Sequence, residues 1–250
     1  MTFALGFSDA GVMTGRELRR SIRSIDSLLT SMLLPVMILT MFVFVFGGAI
    51  NTGTGYINYV VPGILLLCAG FGSASTAISV SQDMETGIID RFKTMAIFGS
   101  SVLIGHVTAS LLRNLCAGVI VVGFALAYGF RPGGSLAGWL GAIGLLVLFI
   151  LAFTWVACAI GLLVGPDAAN GVTFVMLFLP YVSSGFVPTE TMPTALHAFA
   201  EHQPITPIVE TLRGLLMGTP VDSNGPIAVA WCLGILAAGY ASAAVLYRRR

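Results

Sequence analysis

Between Gln82 and Ser100 the chain reads QDMETGIIDRFKTMAIFGS, and Asp83, Glu85, Asp90, Arg91 and Lys93 crowd into a sequence otherwise almost free of charge. The chemistry such a stretch offers is electrostatic, not covalent. Charge that dense is costly in hydrocarbon, so the stretch is expected in water or against a soluble partner. With Gly87 as a break, Ile88, Ile89, Phe92 and Met95 recur at near-helical spacing and could form one face of a short amphipathic helix that another protein can grip. A second polar set, His106, Ser110, Arg113 and Asn114, lies inside the apolar run that follows. At about 100° per residue His106 and Arg113 nearly eclipse, which makes a polar stripe. It suits a substrate path or contacts between membrane spans; alternatively Arg113 snorkels to the headgroups from a run longer than a bilayer needs.

Covalent chemistry finds no footing. The only lysine, Lys93, follows Phe92, so the glycine-lysine pair of a phosphate-binding loop cannot form. His106, His197 and His202 have no metal-ligand spacing, and no serine sits in a nucleophile elbow. Catalytic, cofactor-binding and metal-binding residues are therefore not expected. Asp83, Glu85, Asp90, Asp167, Glu190, Glu201, Glu210 and Asp222 fall in loops or at membrane edges, so a proton-coupled carrier lacks its intramembrane carboxylate. Cys68, Cys116, Cys158 and Cys232 each lie in an apolar run and read as packing residues. No basic patch with interleaved aromatics points to nucleic acid.

The elements that must position these residues are membrane helices. Of 250 residues 56% are hydrophobic and 9% charged, and the mean hydropathy is +0.94, which excludes an ordinary soluble fold. Residues 1–27 place Leu18, Ile22, Ile25 and Leu29 opposite Arg16, Glu17, Arg19, Arg20 and Arg23, the pattern of an amphipathic helix lying in the cytoplasmic membrane interface. The run from Leu28 to Gly48 is longer than a signal-peptide core and is expected to remain as the first span. Residues 28–250 then form an all-α transmembrane domain with six spans, at about 28–48, 59–81, 102–128, 139–164, 172–187 and 227–247. Pro62 is expected in the first turn of the second span, where proline is tolerated. Between Pro188 and Gly225, Ala195 to Ala200 and Ile208 to Met217 are too short to cross and are expected as two short helices that dip into the outer leaflet, re-entrant, or lie on it. Nine arginines and lysines fall on the side of the termini and the central loop, against Arg131 and Arg213 on the other, which places both ends in the cytoplasm.

The motifs also resemble a family, the permease subunits of type-2 ABC exporters, in the group of daunorubicin-resistance permeases. Leu34-Pro35 with Val45-Phe46-Gly47-Gly48, then Tyr59-Val60-Val61-Pro62-Gly63-Ile64, then Asp83 with Gly87-Ile88-Ile89-Asp90-Arg91-Phe92, carry the likeness. So do Ser184-Gly185-Phe186-Val187-Pro188, Met192-Pro193, Gln203-Pro204-Ile205-Thr206-Pro207 and Arg213. The resemblance implies a cytoplasmic coupling helix between spans 2 and 3 that docks on a separate ATPase. Carried onto this chain, the coupling residues are Asp83, Glu85, Gly87, Asp90, Arg91 and Phe92, with Arg16, Glu17 and Arg20 on the helix beside them.

The expected function is the membrane half of an ATP-driven exporter, in a bacterial inner membrane by that likeness, moving an amphipathic drug, lipid or glycan-like cargo by alternating access. Its expected partners are two copies of an ABC ATPase subunit, which would bind the ATP and magnesium, a second permease, identical or homologous, and membrane lipid. The alternatives are a carrier or channel run by an ion gradient, and a membrane anchor without transport.

Overall fold

The computed structural model describes residues 2–23, 25–50, 55–89, 91 and 101–249. Among the described residues the regular structure is helical throughout, with nine α-helices and no strand. They are α1 (Thr2–Arg23), α2 (Ile25–Met41), α3 (Tyr56–Glu85), α4 (Ser101–Ala127), α5 (Leu136–Leu163), α6 (Pro166–Phe178), α7 (Thr194–His202), α8 (Ile205–Met217) and α9 (Asn224–Arg249). A π-helical turn, Phe42–Phe46, extends α2, and a 3-10 turn, Leu179–Val182, extends α6.

Helices α3, α4, α5 and α9 have 30, 27, 28 and 26 residues and are apolar enough to cross a membrane. At 1.5 Å per residue they are between about 39 and 45 Å long, more than the roughly 30 Å hydrocarbon core. Their ends therefore protrude or tilt. Local chemistry sets several boundaries. Ser135 caps α5 by accepting from the Gly138 amide at 3.2 Å. Pro166 opens α6 with Asp167 in its first turn, so this helix starts before the apolar run at Val172. It stops at Val182, where Ser183 Oγ donates to the Pro180 carbonyl and accepts from the Gly185 amide, turning the chain back. Gly87, at φ +68°, ends α3 in a left-handed turn, the break expected at that position.

Two expectations are corrected by α3. It begins at Tyr56, so Pro62 lies in its second turn and not its first. It also continues through Glu85, so Asp83 is not in a solvated loop but on a helix, and its side chain is 1% exposed. The reason is that α1 supplies opposite charge where water was expected to do so.

Helix α3 is the axis of the bundle, with every residue from Val60 to Gly70 buried. It packs against α2, α4, α5, α6 and α8, while α9 lies along α5 and α1 along α4. Small residues allow these approaches, as in other membrane bundles. A Cβ on Gly161 of α5 would stand 2.5 Å from the Ala77 carbonyl oxygen of α3, and one on Gly239 of α9 would stand 2.8 Å from the Val156 amide. Val80, Ile89, Val102, Leu103 and Tyr247 form one apolar cluster, so the C-terminal ends of α3 and α9 and the start of α4 share one end of the molecule.

Candidate functional site

Helix α1 brings Met13, Arg16, Glu17 and Arg20 to one face, since residues three and four apart are neighbours on a helix. That face does not turn to water. Met13 packs so closely on α4 that a Cβ on Gly105 would lie 2.7 Å from the Met13 Cβ. Glu17 is buried, and Arg19, off this face, is exposed.

Asp83 of α3 receives the arginines. Arg20 Nη1 donates to Oδ1 at 2.7 Å, and both Arg16 Nη atoms reach Oδ2 at 3.3 Å. Arg20 Nη2 also donates to Gln82 Oε1 at 2.9 Å, and Arg16 Nη1 lies 3.1 Å from Glu17 Oε1. The contacts to Asp83 and Gln82 are charge-assisted, the strong class of hydrogen bond, whereas the one to Glu17 Oε1 is an ion pair without a formed bond.

His106 of α4 completes the cluster. Its Nδ1 is 3.5 Å from Glu17 Oε2 and its Nε2 is 3.3 Å from Asp83 Oδ2. The Nε2 contact lies off the hydrogen-bonding line, so it is a close approach and not a formed bond. Glu17, Asp83 and His106 each place one ligand atom within 4.8 Å of the others, near enough to meet a metal ion. The donor set does not fit one. The imidazole divides its two nitrogens between the carboxylates, and two guanidiniums already neutralise Asp83, so the cluster is an ion-pair junction joining α1, α3 and α4.

One and two turns further along α4 the polar stripe faces the same neighbours. Arg113 Nη1 donates to Ser21 Oγ of α1 at 3.2 Å, and Nη2 to the Gly72 carbonyl and Ser75 Oγ of α3 at 3.1 and 3.2 Å. Asn114 Nδ2 donates to the Ser110 carbonyl at 2.9 Å, and Ser110 Oγ lies 3.3 Å from Thr154 Oγ1 of α5. Gly72 is required for this fit, because a side chain there would run into Asn114 Oδ1. The stripe thus makes contacts between α1, α3, α4 and α5.

The coupling residues of the sequence reading do not all meet. Arg16, Glu17, Arg20 and Asp83 come together with His106, from what had been a separate set. Glu85, the last residue of α3, and Arg91 are exposed, and Gly87 is the turn between them. Asp90 and Phe92 lie outside the described residues.

The opposite end of α3 has an anchor that sequence reasoning placed only as a motif residue. Arg213 of α8 lies 3.8 Å over the Tyr59 ring, donates from Nε to the Tyr59 carbonyl at 3.2 Å and from Nη2 to the Ser184 carbonyl at 2.7 Å. Glu210, one turn back on α8, pairs with it at 2.5 Å. Nearby, a Cβ on Gly63 would overlap the Gly185 carbonyl, so α3 and the turn at Ser184–Phe186 touch backbone to backbone. The i,i+3 spacing of Glu210 and Arg213 was the available signal.

Residues 9–217, most of the chain, match the ABC-2 type transporter family. The chain belongs to that family. It is 30% identical over 195 residues to a daunorubicin resistance ABC transporter permease protein of Streptomyces coeruleorubidus, covering 77% of this chain and 69% of the relative. It is 26% identical over 241 residues to a probable doxorubicin resistance ABC transporter permease protein of Mycobacterium tuberculosis, covering 95% of this chain and 87% of the relative. As a member of the ABC-2 family the chain is a multi-pass membrane permease subunit of an ABC exporter, and such a subunit works with an ABC ATPase.

Proposed function

We propose that this chain is the membrane half of an ATP-driven drug exporter whose power stroke enters through the segment following Asp83. The observation that carries the reading is the ion-pair junction at the base of that segment. Arg16 and Arg20 of α1, Asp83 of α3 and His106 of α4 hold three helices together where α3 gives way to the charged stretch. A push on residues 82–100 by a separate ATPase would then move α1, α3 and α4 as one body.

In this reading the segments α2 with its π turn and α6 with its 3-10 turn join the four longer helices to make six spans. The arginines of α1 and the C-terminus of α9 share the junction's end, while Arg131 and Arg213 lie near the other end of α3; the positive-inside bias then puts both termini in the cytoplasm. Helices α7 and α8 are the re-entrant pair. ATP and magnesium are held by two copies of the ATPase, no residue of this chain performs covalent chemistry, and a second permease completes the path. The names of the two relatives favour an amphipathic drug of the daunorubicin or doxorubicin kind as cargo, over a lipid or a glycan.

The test is transport of doxorubicin by proteoliposomes holding the chain with and without its neighbouring ATPase. The reading requires ATP-dependent transport that is lost on charge reversal of Asp90 and Arg91, with ATP hydrolysis continuing. Transport by the chain alone, indifferent to ATP, refutes it.

A further inference from the structure

A cavity of about 400 Å³ opens beside the junction, walled by α1, α3 and α4. On α3 its wall is Ser75, Ser79 and Gln82, spaced i, i+4 and i+7 and so stacked along one helical face. Gln82 and Arg20 are exposed and mark the mouth, Ser75 and Ser79 are half-buried, and Thr76 and His106 are buried at the floor. At 1.5 Å per residue the step from Gln82 back to Ser75 carries the cavity about 10 Å into the membrane domain. That is the level at which Arg113 donates to Ser75 Oγ.

Three buried polar atoms of this lining have no hydrogen-bond partner among the described residues: Glu17 Oε1, Thr76 Oγ1 and His106 Nε2. Their residues are 6%, 2% and 3% exposed. Buried polar side chains are nearly always bonded, to protein or to ordered water, so three exceptions on one wall point to something that fills the space beside them. Hydrocarbon would leave all three unsatisfied. It would also have little to pack on, since of the described lining only Ile78 and Ala109 are apolar.

A charged ligand fits no better. Arg20 and Arg113 oppose a cation, and the Glu17 carboxylate, with an oxygen that receives no hydrogen bond, opposes an anion. What meets all three atoms is a small neutral molecule that both gives and takes hydrogen bonds. Water does so, and at about 30 Å³ for each molecule the space holds on the order of a dozen.

We propose that the cavity is a water-filled crevice that carries solvent from the inner face of the membrane to Arg113, and that its water completes the hydrogen bonding of Glu17, Thr76 and His106. Arg113 is then hydrated where it stands, inside the bundle, and has no need to reach the headgroups. Helix α1 is held to α3 and α4 by the ion pairs and by Met13 along a wet seam, which can part and re-form while exposing little apolar surface. Only the naming of the inner face rests on the exporter reading; the depth and polarity of the crevice do not.

The experiment is thiol labelling of the full chain in phosphatidylcholine nanodiscs. It needs neither ATP nor an ATPase, so its failure is separable from failure of the exporter reading. The native cysteines are buried or face lipid and form a quiet background. Ser79→Cys and Ser75→Cys place a thiol in the crevice, and Leu112→Cys, next to Arg113 in sequence and 42% exposed, places one at the same depth on the lipid side of α4. Each is treated with a negatively charged and with a positively charged methanethiosulfonate, neither of which enters hydrocarbon, and labelling is followed by mass spectrometry. Both crevice thiols are expected to react about tenfold faster or more than Leu112→Cys with either reagent. Melting identifies any variant that has merely unfolded, and Ser79→Cys breaks no hydrogen bond among the described residues. A folded Ser79→Cys that reacts no faster than Leu112→Cys overturns the path. Thr76→Val tests the water itself, because a hydroxyl bonded to water is lost at a cost and a dry, unpaired one at a gain. A lower melting point is expected; an equal or higher one overturns the water.

Discussion

Replacing Asp83 with asparagine keeps the size of the side chain and removes its charge. The carboxylate is 1% exposed and meets Arg16 and Arg20, whose side chains are 30% and 41% exposed. At an effective dielectric near 20, each pair contributes on the order of 4 kcal/mol of gross attraction at contact distance. Desolvation of the buried carboxylate offsets most of it, and breaking a fully buried pair typically costs about 3 to 5 kcal/mol. The arginines are partly open to solvent, which lowers the figure, so we expect a loss of about 2 kcal/mol. Asparagine can still offer one oxygen to Arg20, but its amide would point hydrogens at Arg16, which adds a donor-donor conflict. The assay is thermal or chemical denaturation of the purified chain in detergent, followed by a double-mutant cycle with Arg20→Gln. The cycle should give a coupling of about 1 kcal/mol or more, as groups in direct contact do. In the assembled transporter the same substitution should leave ATP hydrolysis running and lower transport, because α1 no longer follows α3. An Asp83→Asn chain as stable as wild type, with purely additive effects in the cycle, refutes the junction.

Arg213→Gln removes the stacking on Tyr59 and the bonds to the Tyr59 and Ser184 carbonyls, and should destabilise the chain by about 2 to 3 kcal/mol in the same denaturation assay. A cost below about half a kcal/mol would mean that α8 is not anchored to α3 there. Gly63→Ala forces a methyl group against the Gly185 carbonyl, backbone on backbone, and should cost about 1 to 3 kcal/mol or prevent folding; an unchanged melting point would show the approach to be looser. Cys116 is exposed only midway along the membrane helix α4, where detergent covers it, and Cys68, Cys158 and Cys232 are buried, so a charged, water-soluble maleimide should modify none of the four in the folded protein and all four after denaturation, read by peptide mass spectrometry.

Much of the architecture is legible without coordinates. Hydropathy is a local sum, so long apolar runs announce α3, α4, α5 and α9 whatever they pack against. Local backbone chemistry likewise marks Gly87 as the end of α3, whereas the start of α6 at Pro166, ahead of the apolar run at Val172, came only from the structure. The short helices α7 and α8 were visible as apolar pieces between prolines. The motifs around Pro62, Gly87 and Gly185 carry the family resemblance that the match over residues 9–217 establishes.

What helical periodicity cannot say is what a polar face looks at. On α1 the pattern separates arginines from aliphatics, and water is the obvious partner for the arginines; in the folded chain Arg16 and Arg20 face Asp83, 67 and 63 residues away in sequence. The same holds for His106 and Arg113, whose stripe was evident but whose neighbours on α1 and α3 were not. Opposite charges far apart in a chain find one another only when packing brings their helices together. The burial that then strengthens their attraction belongs to the assembled bundle and to none of its segments.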